Sequence, residues 1–174
     1  DFAILSIGAI SVPLFANISE ENFVFECTEA EVKTLFVGGL DQWKLLNKHR
    51  NDFNLVISLD EKGEGYSFNK VLDEGLSLNA DNPQLFETLL NIIKPDDVAS
   101  IVYSSGSTGV PKGIVLSQKS LFALLTPDPM KWQETDRYLS ILPLAHIFGR
   151  LINFILIGQG VKIYYFTDMA NVAQ

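Results

Sequence analysis

The sequence predicts an α/β fold in which mostly parallel sheets are covered by helices. Short apolar segments of strand length alternate with helical segments of about ten residues along the chain, and this order is typical of parallel sheets. The composition is 47% hydrophobic and 20% charged, which excludes a disordered chain. The 174 residues suit one large domain or two small ones.

The first part of the chain begins with an apolar helix and a strand. Residues 2–9 are predicted to be the end of a buried helix closed by Gly8, and residues 10–15 a strand. Ser19 is the predicted N-cap of a helix over 19–27, since serine is a preferred capping residue. The acidic residues in the first turn of this helix complement the helix dipole. The remaining predictions are strands at 34–38 and 54–59, helices at 40–49, 69–76 and 83–93, and a polar loop at 60–65.

The second part of the chain repeats the same order of elements. A strand at 98–103 enters the segment Tyr103–Gly113, and residues 113–118 form its hairpin-like continuation. Residues 146–157 are almost entirely apolar and are therefore predicted to be a buried helix. The other predictions are a helix at 118–125, a turn-rich segment at 126–136, and strands at 137–143 and 161–166.

A domain boundary is predicted at Lys94–Pro95, which divides the chain into residues 1–94 and residues 95–174. The polar loop at 60–65 is the alternative boundary. Because both parts show the same α/β order, they fit a single architecture as well as two.

The charge of the chain excludes some classes of partner. The formal net charge is −8, which argues against nucleic acid or an anionic membrane surface as the main partner, since both favour stripes of Lys and Arg. The single cysteine, Cys27, is predicted to pack in the core and fits a reducing compartment. His49 and His146 lie too far apart in the sequence to give a zinc-binding spacing. An anionic ligand would therefore need positive charge supplied locally.

The segment "YSSGSTGVPKG" (Tyr103–Gly113) has the composition of a phosphate-binding loop. Its Gly106 and Gly109 allow backbone conformations that are closed to other residues and bring amides close to a ligand. Lys112 adds a positive charge. The hydroxyl donors are Ser104, Ser105, Ser107 and Thr108. Position also supports phosphate binding, because α/β folds bind ligands at the carboxyl ends of their strands.

The segment differs from the P-loop of NTPases at two positions. Counted from Gly106, Pro111 stands where the second glycine should be, and Gly113 stands where a Ser or Thr should follow the lysine. Proline has no N–H to donate, and no hydroxyl next to Lys112 could hold Mg²⁺. The remaining alternative from the residues alone is a structural loop without a ligand.

The same segment resembles the phosphate-binding signature of the adenylate-forming superfamily, Y-[ST]-S-G-[ST]-T-G-x-P-K-G, at every defined position. This superfamily contains acyl-CoA synthetases, nonribosomal adenylation domains and luciferases. The resemblance implies that the chain is part of the large N-terminal domain of such an enzyme. It also implies that seven residues surround the β- and γ-phosphates of Mg-ATP, with Thr108 near the Mg²⁺: Ser104, Ser105, Gly106, Ser107, Thr108, Gly109 and Lys112.

A second segment, "LSILPLAHIFGR" (139–150), resembles the next motif of the family, in which an aromatic residue or histidine borders the acyl and nucleotide pockets. His146 occupies that position, and the form His-Ile-Phe-x-Arg is most like long-chain fatty acyl-CoA synthetases. Two alternatives stay open here. His146 also fits a helix-terminal residue bonded to the backbone, and residues 146–157 fit either an acyl tunnel or ordinary core packing.

The resemblance implies a long-chain fatty acid–CoA ligase that uses ATP, Mg²⁺ and CoA, and that forms acyl-AMP with release of pyrophosphate. The implied location is cytoplasmic, with or without peripheral contact of the full-length enzyme with a membrane, and no nucleic acid is expected as a partner. The alternatives are an adenylating enzyme whose acceptor is a carrier-protein thiol, and a non-catalytic binding module that retains the loop.

Several parts of the family pattern are not found in this sequence. It contains no Y-G-x-T-E motif, no ribose-binding aspartate motif and no C-terminal domain with a catalytic lysine, so no catalytic residue is assigned. The segment "LSQKS" (116–120) has Gln118 where the family usually has histidine. We therefore expect a fragment that cannot complete adenylation by itself.

Overall fold

The computed structural model describes residues 1–60, 65–104, 109–125 and 130–166. The helices are α1 (Phe2–Ser6), α2 (Glu20–Glu29), α3 (Leu40–Leu46), α4 (Phe68–Asp81), α5 (Leu85–Ile92), α6 (Gln118–Leu125) and α7 (Ile147–Gly158), with a 3-10 turn at Arg50–Asp52. The strands are β1 (Thr34–Val37), β2 (Leu55–Ser58), β3 (Tyr66–Ser67), β4 (Val98–Ser104), β5 (Lys112–Ser117), β6 (Arg137–Ser140) and β7 (Lys162–Tyr165).

The strands form three small sheets. Parallel strands make up the sheet β1-β2-β3 and the pair β6-β7, whereas β4 and β5 form an antiparallel hairpin. The predicted α/β class with mostly parallel sheets is confirmed, and so is the hairpin-like continuation after the strand at 98–103. The hairpin is the part of the fold that presents the candidate phosphate loop, because β4 enters that loop and β5 leaves it.

A hydrophobic core lies between α2, α3 and the strands β1 and β2. Its buried members are Phe23, Cys27, Val37, Trp43, Leu46 and Val56. Cys27 is therefore a packing residue, as predicted, and burial raises the pKa of its thiol to about 12. The predicted N-cap of α2 is also confirmed, since the Asn22 amide donates to the Ser19 hydroxyl oxygen at 3.2 Å. This cap satisfies one of the free amides at the start of the helix.

The predicted strand at 10–15 is wrong. Only one residue of this segment, Ser11, pairs with a neighbouring strand, in an isolated parallel bridge to Ser100 of β4. The Ser11 amide donates to Ala99, and the Ile101 amide donates to Ser11. Pro13 has no N–H with which to continue a ladder, which explains why the pairing stops. The single bridge still places the end of the first apolar segment beside β4.

The predicted buried helix at 146–157 is only partly buried. Helix α7 begins at Ile147, and its side chains Phe148 and Ile157 are 58% and 49% exposed. The most buried side chains include the polar residues Arg150 and Asn153. An apolar composition therefore did not specify which side of the helix faces the interior.

Element lengths differ from the predictions at several boundaries. The helix predicted at 69–76 is the longer α4, and the strand predicted at 137–143 is the shorter β6. Helix α4 continues through Gly75, which lies within the predicted range but does not end the helix. The division at Lys94–Pro95 stays a prediction. None of the helices in the described part of the chain is long and apolar enough to cross a membrane.

Candidate functional site

The two ends of the candidate phosphate loop lie opposite each other in the β4-β5 hairpin. Ser104, the last residue of β4, is the cross-strand partner of Lys112, the first residue of β5. Both residues are exposed. Within the described ranges Lys112 forms no ion pair, so its charge is available to an anion. The predicted site residues Ser105, Gly106, Ser107 and Thr108 lie outside the described residues.

The strand below the loop is buried and paired on both sides. Ala99 and Ser100 are completely buried in β4, which pairs with β5 along its length and with Ser11 through the isolated bridge. A strand held in this way cannot shift its register without burying polar groups or exposing apolar ones. The loop therefore begins from a fixed point, as the apolar sequence before it suggested.

Tyr103 and Gly113 close the hairpin beneath the loop. They are cross-strand partners, and a methyl group added at Gly113 would lie 3.3 Å from ring atoms of Tyr103 and 3.1 Å from Ile101. Because Gly113 has no side chain, the Tyr103 ring can lie directly against its backbone. The Tyr103 hydroxyl donates to the Glu26 carbonyl oxygen at 3.3 Å, and burial, followed by the nearby Glu29 carboxylate, raises the pKa of Tyr103. These contacts attach the hairpin to helix α2.

Gly109 and Pro111 shape the return from the loop to β5. Gly109 has a φ of +82°, in the left-handed region that favours glycine, and a Cβ there would meet no atom of the described residues within 4 Å. The backbone conformation is therefore the observed reason for glycine at this position. Pro111, which stands where a P-loop has glycine, is buried next to the exposed Lys112. Its fixed φ restricts the backbone one residue before the lysine.

His146 is the N-cap of α7. Its Nδ1 accepts a hydrogen bond from the Phe148 amide at 3.2 Å, while the side chain is exposed. An acceptor at Nδ1 requires a neutral imidazole whose proton is on Nε2. The sequence-based alternative that His146 caps a helix is thus confirmed, and Nε2–H is the ring's remaining donor.

Gly149 allows α7 to start close to the segment that follows β6. A methyl group at Gly149 would lie 2.7 Å from the carbonyl oxygen of Pro143 and 2.9 Å from the Cβ of Leu142. The His146 amide also donates to the Pro143 carbonyl at 3.0 Å. The position of the histidine therefore depends on this close approach.

Arg150 is a residue that no sequence pattern assigned to the site; it is 1% exposed and lies one turn after His146. Its Nε and one terminal nitrogen donate to the two carboxylate oxygens of Asp1, at 2.9 and 3.0 Å, and its other terminal nitrogen donates to the Ser100 hydroxyl at 2.6 Å. Burial lowers the pKa of Arg150, although a guanidinium remains charged. The feature of the sequence that could have identified Arg150 is its position as a charged residue within the apolar run 146–157.

Gln118 stands where the family usually has histidine, and the structure shows its contact. The Gln118 side chain donates to the Leu5 carbonyl oxygen at 3.5 Å, so this residue connects the start of α6 to α1.

In residues 1–60, 65–104, 109–125 and 130–166, no three His, Cys, Asp or Glu side chains group as metal ligands. The predicted metal contact, Thr108, lies outside these ranges.

Comparison with known protein families and sequences identifies relatives along the whole chain. The family model described as "AMP-binding enzyme" matches residues 1–173. Long chain acyl-CoA synthetase 6, peroxisomal, of Arabidopsis thaliana is 31% identical over 182 residues, which cover 95% of this chain and 25% of that protein. Long-chain-fatty-acid–CoA ligase FadD15 of Mycobacterium tuberculosis is 26% identical over 179 residues, covering 99% of this chain and 29% of the ligase. The chain thus spans less than a third of the length of these relatives.

Solved structures share the fold. The anthranilate CoA ligase AuaEII, in complex with anthranoyl-AMP, matches 99% of this chain and 33% of its own with a TM-score of 0.70 and 20% identity. A red-emitting luciferase from Phrixothrix hirtus matches 95% of this chain and 34% of its own, with the same TM-score and identity. Together with the family model matched over residues 1–173, these similarities show that the chain belongs to the AMP-binding enzyme family.

Proposed function

We propose that the chain is part of an ATP-dependent long-chain fatty acid–CoA ligase and supplies the phosphate-binding hairpin of its N-terminal domain. The observation that carries the proposal is the pairing of Ser104 with Lys112 at the end of a buried strand, on either side of a segment with the adenylate-forming signature. The relatives named as long-chain acyl-CoA ligases support the substrate class. The division into residues 1–94 and 95–174 is part of the same proposal.

In the proposed reaction a fatty carboxylate oxygen attacks the α-phosphorus of ATP. The bond to the β-phosphate breaks, pyrophosphate leaves, and acyl-AMP forms. The CoA thiolate then attacks the acyl carbon, and AMP leaves with the electrons of the broken C–O bond. The first step makes a carboxylate, which is a poor electrophile, reactive toward the thiol.

The hairpin residues would act on the leaving pyrophosphate. Negative charge grows on that group as its bond to the α-phosphate breaks, and the Lys112 ammonium would stabilise this charge. Ser104 would donate its hydroxyl hydrogen to a phosphate oxygen, and Ser105, Gly106, Ser107, Thr108 and Gly109 would complete the site by resemblance. His146 would border the acyl side and present the Nε2–H of its exposed side chain.

Mg²⁺ would enter this site bound to the triphosphate. The described ends of the loop offer a hydroxyl and an ammonium, and neither Ser104 nor Lys112 is an anionic ligand of the kind that holds Mg²⁺ by itself. The ion would offset phosphate charge, with Thr108 as the proposed neighbouring hydroxyl. The residues of the hairpin fit a metal–nucleotide complex better than a metal site made by protein alone.

The test compares pyrophosphate release from ATP in the presence of palmitate for the full-length protein, its Lys112→Ala variant and a Lys119→Ala control. Lys119 is an exposed lysine of α6 outside the loop. We expect Lys112→Ala to lower kcat by about a hundredfold, a size typical for the loss of one group that stabilises transition-state charge. The control should match the parent.

Two outcomes would contradict the proposal. A parent protein with no palmitate-dependent release of pyrophosphate is not a fatty acid ligase. If the parent is inactive, equal ATP affinity in the parent and Lys112→Ala favours the non-catalytic module. If the parent is active, equal activity and equal ATP affinity in the two proteins overturn the role proposed for Lys112. The 174 residues alone are expected to be inactive, because the adenine and ribose motifs of the family are not in this sequence. Acceptor profiling with CoA and with a carrier-protein thiol separates the two adenylating alternatives.

A further inference from the structure

We propose that Arg150 is a positioning residue that fixes the helix starting at His146 against the strand that enters the phosphate loop. The inference rests on the proposed function for its kinetic consequence, but its structural part stands on the contacts of Arg150 alone. The residue touches neither of the predicted loop ends. It acts through α7 on one side and through β4 on the other.

Every donor nitrogen of the guanidinium has a partner from another part of the chain. The Asp1 carboxylate accepts from Nε and from one terminal nitrogen, which is the two-point geometry that arginine forms best with carboxylates. The second terminal nitrogen donates to the Ser100 hydroxyl at 2.6 Å. The guanidinium also lies over the face of the Phe154 ring, whose centroid is 5.4 Å from the guanidinium carbon.

The acceptors of Arg150 are themselves fixed. The Ser100 hydroxyl donates to the Ser11 carbonyl oxygen at 2.7 Å, and the Ser11 hydroxyl donates to Asp1 at 2.6 Å. The network therefore closes on itself through Asp1, Ser11, Ser100 and Arg150. A displacement of the guanidinium would break several bonds at once and leave buried polar atoms unpaired, which is costly.

The network connects the two sides of the candidate site. Arg150 lies one turn after the N-cap, and its amide donates to the His146 carbonyl oxygen at 3.0 Å. Ser100 lies four residues before Ser104 on β4, so by strand alternation the two side chains share a face. The guanidinium thus joins the start of α7 to the strand face that ends at the loop.

Stability alone gives little reason for a charge at this position. Replacing a buried ion pair with apolar residues of similar volume is often neutral or stabilising, and apart from Asn153 the other side chains of α7 are apolar. What an apolar side chain cannot supply is a directional connection to Asp1 and Ser100 together. The arrangement therefore fits a role in orientation.

The structural part is tested by amide hydrogen exchange on the full-length protein, comparing the parent with Arg150→Met and with Arg137→Met. Arg137 is an exposed arginine of β6 and serves as the matched control. We expect Arg150→Met to speed exchange both in the turn 146–150 and in the segment 102–104, while amides of the α2-β1-β2 core keep their parent rates. The control should change neither segment.

The kinetic part measures KM for ATP and for palmitate. Arg150→Met should raise both KM values about three- to tenfold, because misplacement moves both sides of the site. A loss of folded protein would lower Vmax and leave both KM values at the parent level. If Arg150→Met does not fold, Ser100→Ala removes only the link to the strand and should give the same pattern at smaller amplitude.

The outcomes separate the two proposals. Faster exchange in both segments, with both KM values raised, supports the positioning role. Faster exchange confined to α7, or unchanged KM values in an active protein, overturns it. If the parent has no activity with palmitate, the proposed function fails, and hydrogen exchange alone then decides whether Arg150 links the helix to the strand.

Discussion

Replacing Gly149 with alanine is expected to destabilise the protein, although alanine is the better helix former. Gly149 is buried in the first turn of α7, where the segment after β6 passes close to the helix backbone. The new Cβ would lie 2.7 Å from the Pro143 carbonyl oxygen and 2.9 Å from the Cβ of Leu142. Neither atom can swing away by a side-chain rotation, so the backbone must move.

Two contributions of opposite sign set the size of the effect. Alanine in place of glycine stabilises a helix by at most about 1 kcal/mol, and by less in the first turn. Overpacking a tight site costs about 1–3 kcal/mol, and contacts with backbone atoms at these distances place Gly149 in the upper part of this range. We therefore expect a net loss of about 1–2 kcal/mol in the free energy of unfolding.

A matched control is Gly75→Ala in the middle of α4, where an added Cβ meets no atom within 4 Å. This substitution should stabilise the helix by about 1 kcal/mol. Scanning calorimetry of the full-length protein should therefore show midpoints that move in opposite directions for the two variants. A midpoint of Gly149→Ala at or above that of the parent would refute the reasoning from the close approach to Pro143.

Two further predictions concern Glu26 and His146. Burial first, and the Glu29 carboxylate second, raise the pKa of Glu26 above its ordinary value of 4.5. The parent should therefore lose stability as the pH rises from about 4.5 through the raised value, and Glu26→Gln should flatten this slope and raise the neutral-pH midpoint in thermal melts. His146→Asn keeps a good N-cap, so stability should stay within about 0.5 kcal/mol. A raised KM for palmitate would then assign His146 to the acyl side, whereas an unchanged KM would leave it a cap only.

The sequence predicted those parts of the fold that local signals determine. Ser19 caps α2 as expected, and the apolar run before Ser104 is a buried strand followed by a hairpin. In both cases the residues that decide the structure lie within a few positions of each other. Pro111 and Gly113 likewise distinguished the loop from a P-loop without any knowledge of the fold.

The features that the sequence did not predict depend on partners far away along the chain. Arg150 finds Asp1 across 149 positions and Ser100 across 50, and no local pattern contains either pairing. The strand expected at 10–15 is limited to the bridge at Ser11, because pairing depends on what lies beside it as well as on its apolar content. Gly149 and Pro143 are close along the chain, but their contact depends on the path of the backbone between β6 and α7, which no local pattern specified.

The pairing of Ser104 with Lys112 has a consequence for how tightly the proposed anion can bind. Pairing of Ser104 with Lys112 holds the two ends of the loop at the spacing of neighbouring strands, roughly 5 Å, before any ligand arrives. The entropy lost on joining these ends is therefore a cost of folding and does not weaken ligand binding. For the proposed triphosphate ligand, affinity should therefore depend on the Lys112 charge and the Ser104 hydroxyl more than on the length of the loop.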